Sequence, residues 1–113
     1  MKLAIIGSRS IQNVDIAPYL SGVDEIVSGG AVGVDACAAA YAKQNGIPLT
    51  VFLPDYNRYG RVAPFVRNRQ IVAYADAVLA FWDGGSHGTL SVIRYAKKIG
   101  KPCTVIAPDG TVL

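Results

Sequence analysis

The chain has 113 residues, of which 51% are apolar, and a formal net charge of +3. This length predicts one domain, and the apolar content excludes an intrinsically disordered protein. No apolar run approaches the roughly 20 residues that cross a bilayer, and the N-terminal run is too short for a signal peptide. We therefore expect a cytoplasmic protein with no membrane partner.

Short apolar runs alternate with segments of helical spacing along the chain. The predicted strands are Lys2–Ile6, Asp24–Ser28, Leu49–Leu53, Ala77–Phe81 and Cys103–Ala107. The predicted helices are Asp15–Leu20, Ala31–Gln44, Phe65–Tyr74 and Thr89–Ile99. Tyr56–Pro64 is predicted to be a loop, and the tail after Asp109-Gly110 a small edge strand. This alternation predicts an α/β protein, a Rossmann-like three-layer sandwich with a mostly parallel five-stranded sheet.

Three of the predicted strands end in loops rich in glycine and hydroxyl residues: GSRS, SGGAVG and DGGSHGT. A helix N-terminus presents free N–H groups and a positive dipole end, and glycine lets an anion approach the backbone closely. The same residues also serve ordinary turn geometry and helix capping. Because the carboxyl ends of parallel strands share one sheet edge, three such loops favour a phosphate-binding cleft there.

The second loop nearly matches the dinucleotide-binding pattern G-x-G-x-x-G, with Ser28 in place of the first glycine. Asp55 ends the following strand, 22 residues after Gly33, where a ribose-binding acid would lie. The match is incomplete, but it favours a ligand that contains ribose as well as phosphate. A nucleotide, or an NAD- or ADP-ribose-like molecule, has this chemistry.

No acidic residue occurs between Tyr56 and Ala75, a segment that contains four arginines. This local excess of positive charge in a nearly balanced protein predicts an anionic ligand rather than a general nucleic-acid surface. Few exposed aromatic residues are expected, which also argues against nucleic acid as a partner.

Several side chains in these loops have both a structural and a functional interpretation. Asp35 could stabilise a helix dipole, bind a ribose hydroxyl or act as a base, and Asp83 could cap a turn or act as a catalytic acid. His87 is interpreted as a helix-start donor or a surface residue rather than a base. Trp82 could belong to the core or form a stacking wall. The two cysteines and single histidine lie in unrelated segments and do not predict a metal site.

In order and spacing, these segments resemble the SLOG superfamily, named for the Smf/DNA-processing proteins and the LOG phosphoribohydrolases. The matching stretches are Ile6–Arg9, Ser28–Asp35, Arg67–Arg69, Asp76–Leu79, Gly85–Thr89 and Lys101-Pro102. They cover nearly the whole chain and are most similar to small single-domain, YspA-like members. The resemblance implies that residues 1–113 form one Rossmann-like domain that binds a nucleotide or nucleotide-derived ligand.

The predicted ligand-binding residues come from the loops and from the Arg-Asn-Arg stretch. They are Gly7, Ser8, Arg9, Ser28, Gly29, Gly30, Asp35, Arg67, Arg69, Gly85, Ser86, His87, Gly88 and Thr89. Arg67 and Arg69 are two residues apart on a predicted helix, so they are expected to point to different faces.

One departure from the family pattern bears on catalysis. LOG enzymes carry a glutamate three residues after the Gly-Thr pair, and Val92 stands at that position here. The only glutamate, Glu25, begins a strand at the opposite sheet edge. N-glycosidic cleavage generally uses a carboxylate, so it would fall to Asp35 or Asp83, and the LOG activity does not transfer.

Three hypotheses remain open at this point. The first is a sensor or carrier domain that binds a small nucleotide-type ligand. The second is an enzyme that cleaves or transfers at the N-glycosidic bond of a nucleotide, and the third is a single-stranded nucleic-acid-binding domain. A homodimer or larger homo-oligomer is compatible with each.

Overall fold

A computed structural model describes all 113 residues of the chain. Its centre is a single sheet of five strands in the lateral order β3-β2-β1-β4-β5, and every neighbouring pair is parallel. The strands are β1 (Lys2–Gly7), β2 (Glu25–Ser28), β3 (Leu49–Val51), β4 (Ala77–Phe81) and β5 (Cys103–Ile106). The predicted parallel five-stranded sheet is therefore confirmed.

Helices cover both faces of the sheet. They are α1 (Val34–Gln44), α2 (Tyr56–Tyr59), α3 (Ala63–Tyr74) and α4 (His87–Lys98). Side chains of β1 alternate between two apolar clusters: Leu3 and Ile5 pack on the face of α1, and Ala4 and Ile6 on the face of α3 and α4. This alternation explains why the strand reads as a continuous apolar run, and it gives the three-layer sandwich expected from the sequence.

Two connections differ from their predicted structure. The segment predicted as the helix Asp15–Leu20 contains only a 3-10 turn, Ala17–Tyr19. The Asp15 carboxylate accepts a hydrogen bond from the Ala17 amide at 3.1 Å, a local bond that competes with helix formation. The predicted loop Tyr56–Pro64 instead contains α2, a 3-10 turn over Gly60–Val62 and the start of α3. Asp55 caps α2 by accepting from the Arg58 amide at 3.1 Å.

The remaining differences are at element ends. α1 begins at Val34 rather than Ala31, because Gly33 has a φ of 78°, which is outside the helical region. The tail forms one antiparallel bridge, Ile106 to Val112, in place of the predicted edge strand. α3 and α4 each have 12 residues, and no helix combines the length and apolar character needed to cross a bilayer.

The order of the strands fixes where a ligand could bind. The chain moves from β1 outward to β2 and β3, and then returns to the other side of β1 for β4 and β5. The crevice of such a sheet lies at the carboxyl ends of the two strands that flank this reversal, here β1 and β4. The Ser8 amide donates to the Phe81 carbonyl at 2.9 Å, so the two strand ends stay paired up to the loops that follow them.

Gly7, the last residue of β1, provides a test of this packing. A Cβ atom there would lie 2.4 Å from Cγ2 of Val34 and 2.9 Å from the Phe81 carbonyl oxygen. We expect Gly7→Ala to lower the free energy of unfolding by about 1–3 kcal/mol, because α1 would have to move away from the strand. Chemical denaturation measures this change.

Gly88→Ala is the matched control, since a Cβ at Gly88 meets no atom within 4 Å. Its unfolding free energy should stay the same or rise by up to about 1 kcal/mol, the helix preference of alanine over glycine. If both substitutions lowered the unfolding free energy equally, the close contact between β1 and α1 would not be the reason for glycine at position 7.

Candidate functional site

A cleft of about 380 Å³ opens at the carboxyl edge of the sheet. Its walls come from the loops after β1, β2 and β4, from the first turn of α4 and from the first half of α3. The predicted site residues that line it are Gly7, Arg9, Gly29, Asp35, Arg67, Ser86, Gly88 and Thr89. The three loops therefore converge on one hollow, as the sequence predicted from their shared sheet edge.

Other predicted site residues lie beside or away from this hollow. Ser8 and Ser28 are buried behind its wall, and the Ser28 hydroxyl accepts from the Gly30 amide at 3.3 Å. Gly30, Gly85 and His87 are absent from the lining. Arg69 is also outside it, and its guanidinium lies 5.3 Å from the ring centre of Tyr95. Arg67 and Arg69 thus occupy different faces of α3, as their spacing indicates.

The buried Ser8 hydroxyl connects the loop after β1 to the loop after β4. It accepts a hydrogen bond from the Asp83 amide at 3.1 Å and lies 3.5 Å from the Thr89 hydroxyl. Ser8 and Thr89 are both almost fully buried. Buried hydroxyls need partners, and these bonds hold the end of β1 against the start of α4.

The Asp83 carboxylate stabilises the loop after β4. It accepts hydrogen bonds from the Ser10 hydroxyl at 2.6 Å and from the amides of Gly85 and Ser86 at 2.8 Å each. These bonds, led by the one from Ser10, lower the pKa of Asp83 well below its ordinary value. Asp83 therefore acts as a turn-stabilising carboxylate, and the two amides that it binds are already satisfied.

The first turn of α4 retains two free amides. The Ser86 hydroxyl accepts from the Thr89 amide at 3.3 Å, and the Ser86 carbonyl accepts from Leu90 at 3.2 Å. The amides of His87 and Gly88 have no acceptor within the protein. They lie at the positive end of a 12-residue helix, where an anion is favoured.

Trp82 supports the same turn from behind. Its indole N–H donates to the Ser86 carbonyl at 3.0 Å, and its half-buried ring packs on the cluster beneath α3 and α4. Of the two interpretations open for this residue, the core position fits these contacts. Trp82 does not line the cleft.

Arg67 reaches across the cleft from α3 to the second loop. Its Nη1 donates to the Gly29 carbonyl at 2.6 Å, and its Nε donates to Oδ1 of Asn68 at 2.9 Å. A Cβ at Gly29 would lie 2.8 Å from this Nη1, so only glycine allows the guanidinium to approach so closely. Burial lowers the pKa of Arg67, the nearby charge of Asp35 opposes this change, and the positive charge of Arg9 adds to it.

Asp35 is the buried carboxylate of the site. One of its oxygens accepts from the Ala31 amide at 3.1 Å, and the side chain lines the floor of the cleft. Burial raises the pKa of Asp35, while the bond from Ala31 and the charge of Arg67 act in the opposite direction. Of the two carboxylates considered from sequence, Asp35 is the buried one and accepts from the Ala31 amide, whereas Asp83 accepts from a hydroxyl and two amides.

Two arginines and two aspartates line the cleft, and none of these four groups forms a salt bridge. The one ion pair in the protein joins the N-terminal ammonium to Asp24, and no arginine forms a salt bridge with a carboxylate. Arg9 and Arg67 line the same hollow, and their mutual repulsion contributes to the lowered pKa of Arg67. The guanidinium groups of Arg9 and Arg67, together with the free amides at the start of α4, can bind an anion.

Eight lining residues were not among the predicted site residues: Ile6, Ser10, Ala31, Pro64, Phe65, Asn68, Ile71 and Val92. Phe65 is 48% exposed, an unusual position for a phenylalanine, and offers an aromatic face beside Arg67. Its place next to the Arg-Asn-Arg stretch was a signal that could have identified it. No group of three or more His, Cys, Asp or Glu side chains is arranged to hold a metal ion.

The raised pKa of Asp35 gives a prediction for the ligand-free protein. A carboxyl whose pKa is higher in the folded than in the unfolded state makes folding less favourable as pH rises between the two values. Asp35→Asn removes this titration but keeps an oxygen that can accept from Ala31. We expect the unfolding free energy of Asp35→Asn, relative to wild type, to increase from pH 4 to pH 7.

Urea denaturation of both proteins across this pH range measures the difference. Asp55→Asn is the control, since Asp55 caps α2 on the exposed surface. A relative stability of Asp35→Asn that is constant or falls with pH would contradict the assignment.

Comparison with known proteins gives two sequence matches. Residues 17–59 match the family model described as YAcAr, the YspA, cpYpsA-related SLOG family. The chain is also 40% identical over 83 residues to the Gene 61 protein of Mycobacterium phage D29. That alignment covers 68% of this chain and 66% of the phage protein.

A solved structure is similar over almost the whole fold. DNA processing protein A from Helicobacter pylori, whose structure was described for its single-stranded DNA binding mode, superposes with a TM-score of 0.70. The sequences are 26% identical, and the match covers 94% of this chain and 65% of the Helicobacter protein. The chain thus spans about two thirds of each of these relatives.

This match corrects one expectation. The modest net charge and the expected scarcity of exposed aromatic residues argued against nucleic acid as a partner. That argument is wrong, because a protein of the same fold that is similar along 94% of this chain binds single-stranded DNA. Its premise also fails in the structure, since Tyr56 and Phe65 are 59% and 48% exposed.

The order and spacing of the strand-end loops and the Arg-Asn-Arg stretch along the chain resemble one superfamily. The YspA-related family match and the structural match to DNA processing protein A lead to the same assignment. The chain belongs to the SLOG superfamily.

Proposed function

We propose that the cleft binds a nucleotide-type ligand through its phosphate. One observation carries the proposal: Arg9, Arg67 and the start of α4 meet at one hollow, neither arginine forms a salt bridge, and the amides of His87 and Gly88 have no acceptors. Hydrogen bonds to charged groups contribute about 1.5–3 kcal/mol each, so three or four of them suffice to hold a phosphate. The volume of about 380 Å³ is within the range of small-ligand sites.

The phosphate belongs at the first turn of α4. Gly88 lines the cleft there, the amides of His87 and Gly88 have no acceptor in the protein, and Arg9 lines the cleft from the loop after β1. Arg67 has its Nε and Nη1 occupied by Asn68 and Gly29, which fixes the guanidinium and leaves Nη2 free of any partner in the protein. A preorganised guanidinium loses little entropy on binding an anion.

Asp35 and Phe65 also line the cleft and are available to the sugar and base of a nucleotide. Asp35 lines the floor of the cleft and can accept a hydrogen bond from a sugar hydroxyl. Phe65 borders it with an exposed ring on which a base can stack. Binding is proposed in preference to N-glycosidic cleavage, because Asp83 is committed to its turn and a single carboxylate remains.

A second candidate function is binding of single-stranded DNA, in which the cleft holds one nucleotide of a strand. The similarity to DNA processing protein A of Helicobacter pylori is the observation that favours it. Both functions place a phosphate at the first turn of α4. They differ in whether the affinity rises with the length of the nucleic-acid strand.

The first test concerns the phosphate itself. Isothermal titration calorimetry with nucleoside 5′-monophosphates and the matching nucleosides should show binding that depends on the phosphate. Arg9→Gln should weaken monophosphate binding by about 10- to 150-fold, the loss of one charged hydrogen bond. Arg69→Gln is the matched control and should bind as wild type, since Arg69 lies on Tyr95 outside the cleft. Equal affinity for nucleosides and monophosphates would refute the proposal.

The second test removes a backbone donor. His87 is the first residue of α4, where proline is well tolerated, and the preceding Ser86 has the extended conformation that proline requires, with a ψ of 120°. We expect His87→Pro to keep the fold and lose about 10- to 150-fold in monophosphate affinity, because the amide is gone. His87→Ala keeps the amide and should bind as wild type. If the alanine variant loses affinity equally, the side chain and not the amide binds the ligand.

A further inference from the structure

Beside the cleft lies an exposed surface that the site described above does not use. It consists of Tyr56, Arg58, Tyr59, Arg61 and Phe65, and we call it the α2 surface. Tyr56, Arg58 and Tyr59 belong to α2, Arg61 to the 3-10 turn after it, and Phe65 to the first turn of α3. Phe65 also lines the cleft, so the α2 surface and the cleft are continuous.

The α2 surface combines unpaired positive charge with aromatic rings. Arg58 and Arg61 are exposed and form no salt bridge, and no acidic residue occurs from Tyr56 to Ala75. Tyr56 is 59% exposed. The guanidinium of Arg58 lies 5.3 Å from the ring centre of Tyr59, which orients it while leaving its charge available.

The five side chains of the α2 surface lie outside the hydrophobic core of the domain. None of the five side chains is buried, and none belongs to either apolar cluster. Asp55 accepts from the Arg58 amide and not from its side chain, so α2 is stabilised without the guanidinium. The exposed side chains of Tyr56 and Arg58 thus take no part in the hydrogen bond by which Asp55 caps α2.

We propose that the α2 surface binds the continuation of a single-stranded DNA chain whose terminal or central nucleotide occupies the cleft. Arginines interleaved with aromatic rings match a strand, because the phosphates need cations and each unstacked base needs a flat partner. The phenol of Tyr56 lies close enough to Arg67 to contribute to the pKa of its guanidinium, which places Tyr56 at the step from the cleft to the surface. This inference rests on the proposed phosphate site and extends it.

The test compares ligands of two lengths. Fluorescence anisotropy with a labelled thymidine 12-mer, and calorimetry with thymidine 5′-monophosphate, should show tighter binding of the 12-mer in wild type. In Arg58→Gln/Arg61→Gln, monophosphate affinity should be unchanged, while the slope of log affinity against log salt for the 12-mer should fall by about 1.4. Lys97→Gln/Lys98→Gln is the charge-matched control at the far end of α4 and should change neither ligand's affinity beyond a small uniform effect.

The aromatic contribution is tested separately. Tyr56→Ala should weaken 12-mer binding by about 5- to 150-fold, the range for loss of one base-stacking contact, and Tyr56→Phe should bind as wild type. These exposed side chains are not needed for folding, which circular dichroism melting curves would verify.

The outcomes separate the two proposals. If the 12-mer binds no tighter than the monophosphate, or if the double arginine variant keeps the wild-type salt slope, the α2 surface does not bind a strand and the phosphate site still stands. A different result is that the monophosphate does not bind but the 12-mer does, and that Arg58→Gln/Arg61→Gln and Tyr56→Ala both reduce the 12-mer affinity. In that case the phosphate site fails and the α2 surface stands. If Lys97→Gln/Lys98→Gln reduced the 12-mer affinity as much as the double arginine variant does, the effect would be a nonspecific one of charge, and the inference would be overturned.

Discussion

The structure depends on the contact between the loops after β1 and β4. Ser8 is buried at the strand reversal, where its hydroxyl holds the amide of Asp83 and lies beside Thr89. Through Asp83 this contact extends to the amides of Gly85 and Ser86 and to the hydroxyl of Ser10. The first turn of α4 is thereby held against the end of β1. Without this contact, Arg9 and the start of α4 would not share a wall of the cleft.

The same contact decides which donors are available to a ligand. A glycine-rich turn before a helix offers many N–H groups, but here a carboxylate within the protein takes two of them and the capping serine takes a third. What remains is a pair of adjacent amides at the helix start. Because Asp83 is hydrogen-bonded in this way, its negative charge stabilises the turn next to the proposed phosphate site, where Arg9 and Arg67 also line the cleft.

Arg67 shows how the domain prepares positive charge without cancelling it. Its guanidinium is fixed by a backbone carbonyl and by a neutral side-chain amide, and Asp35 remains nearby without forming a salt bridge. A direct ion pair would have neutralised the cleft. The cost of holding this charge partly buried beside Arg9 is visible in its lowered pKa. That cost would be relieved by an anionic ligand, which links the stability of the domain to binding.

The fold class, the five strands and the three loops at one sheet edge can be predicted from the sequence alone. They follow from local patterns: continuous apolar runs give buried parallel strands, and glycine with serine marks the strand ends. The separation of Arg67 from Arg69 is equally predictable, because helical geometry depends only on spacing. The three-dimensional fold is needed to show which amides are free, that Asp83 holds a turn while Asp35 is buried in the cleft, and that Phe65 and Tyr56 are exposed. Those properties depend on distances between residues far apart in the chain, such as Ser8 and Asp83, and no local pattern encodes them.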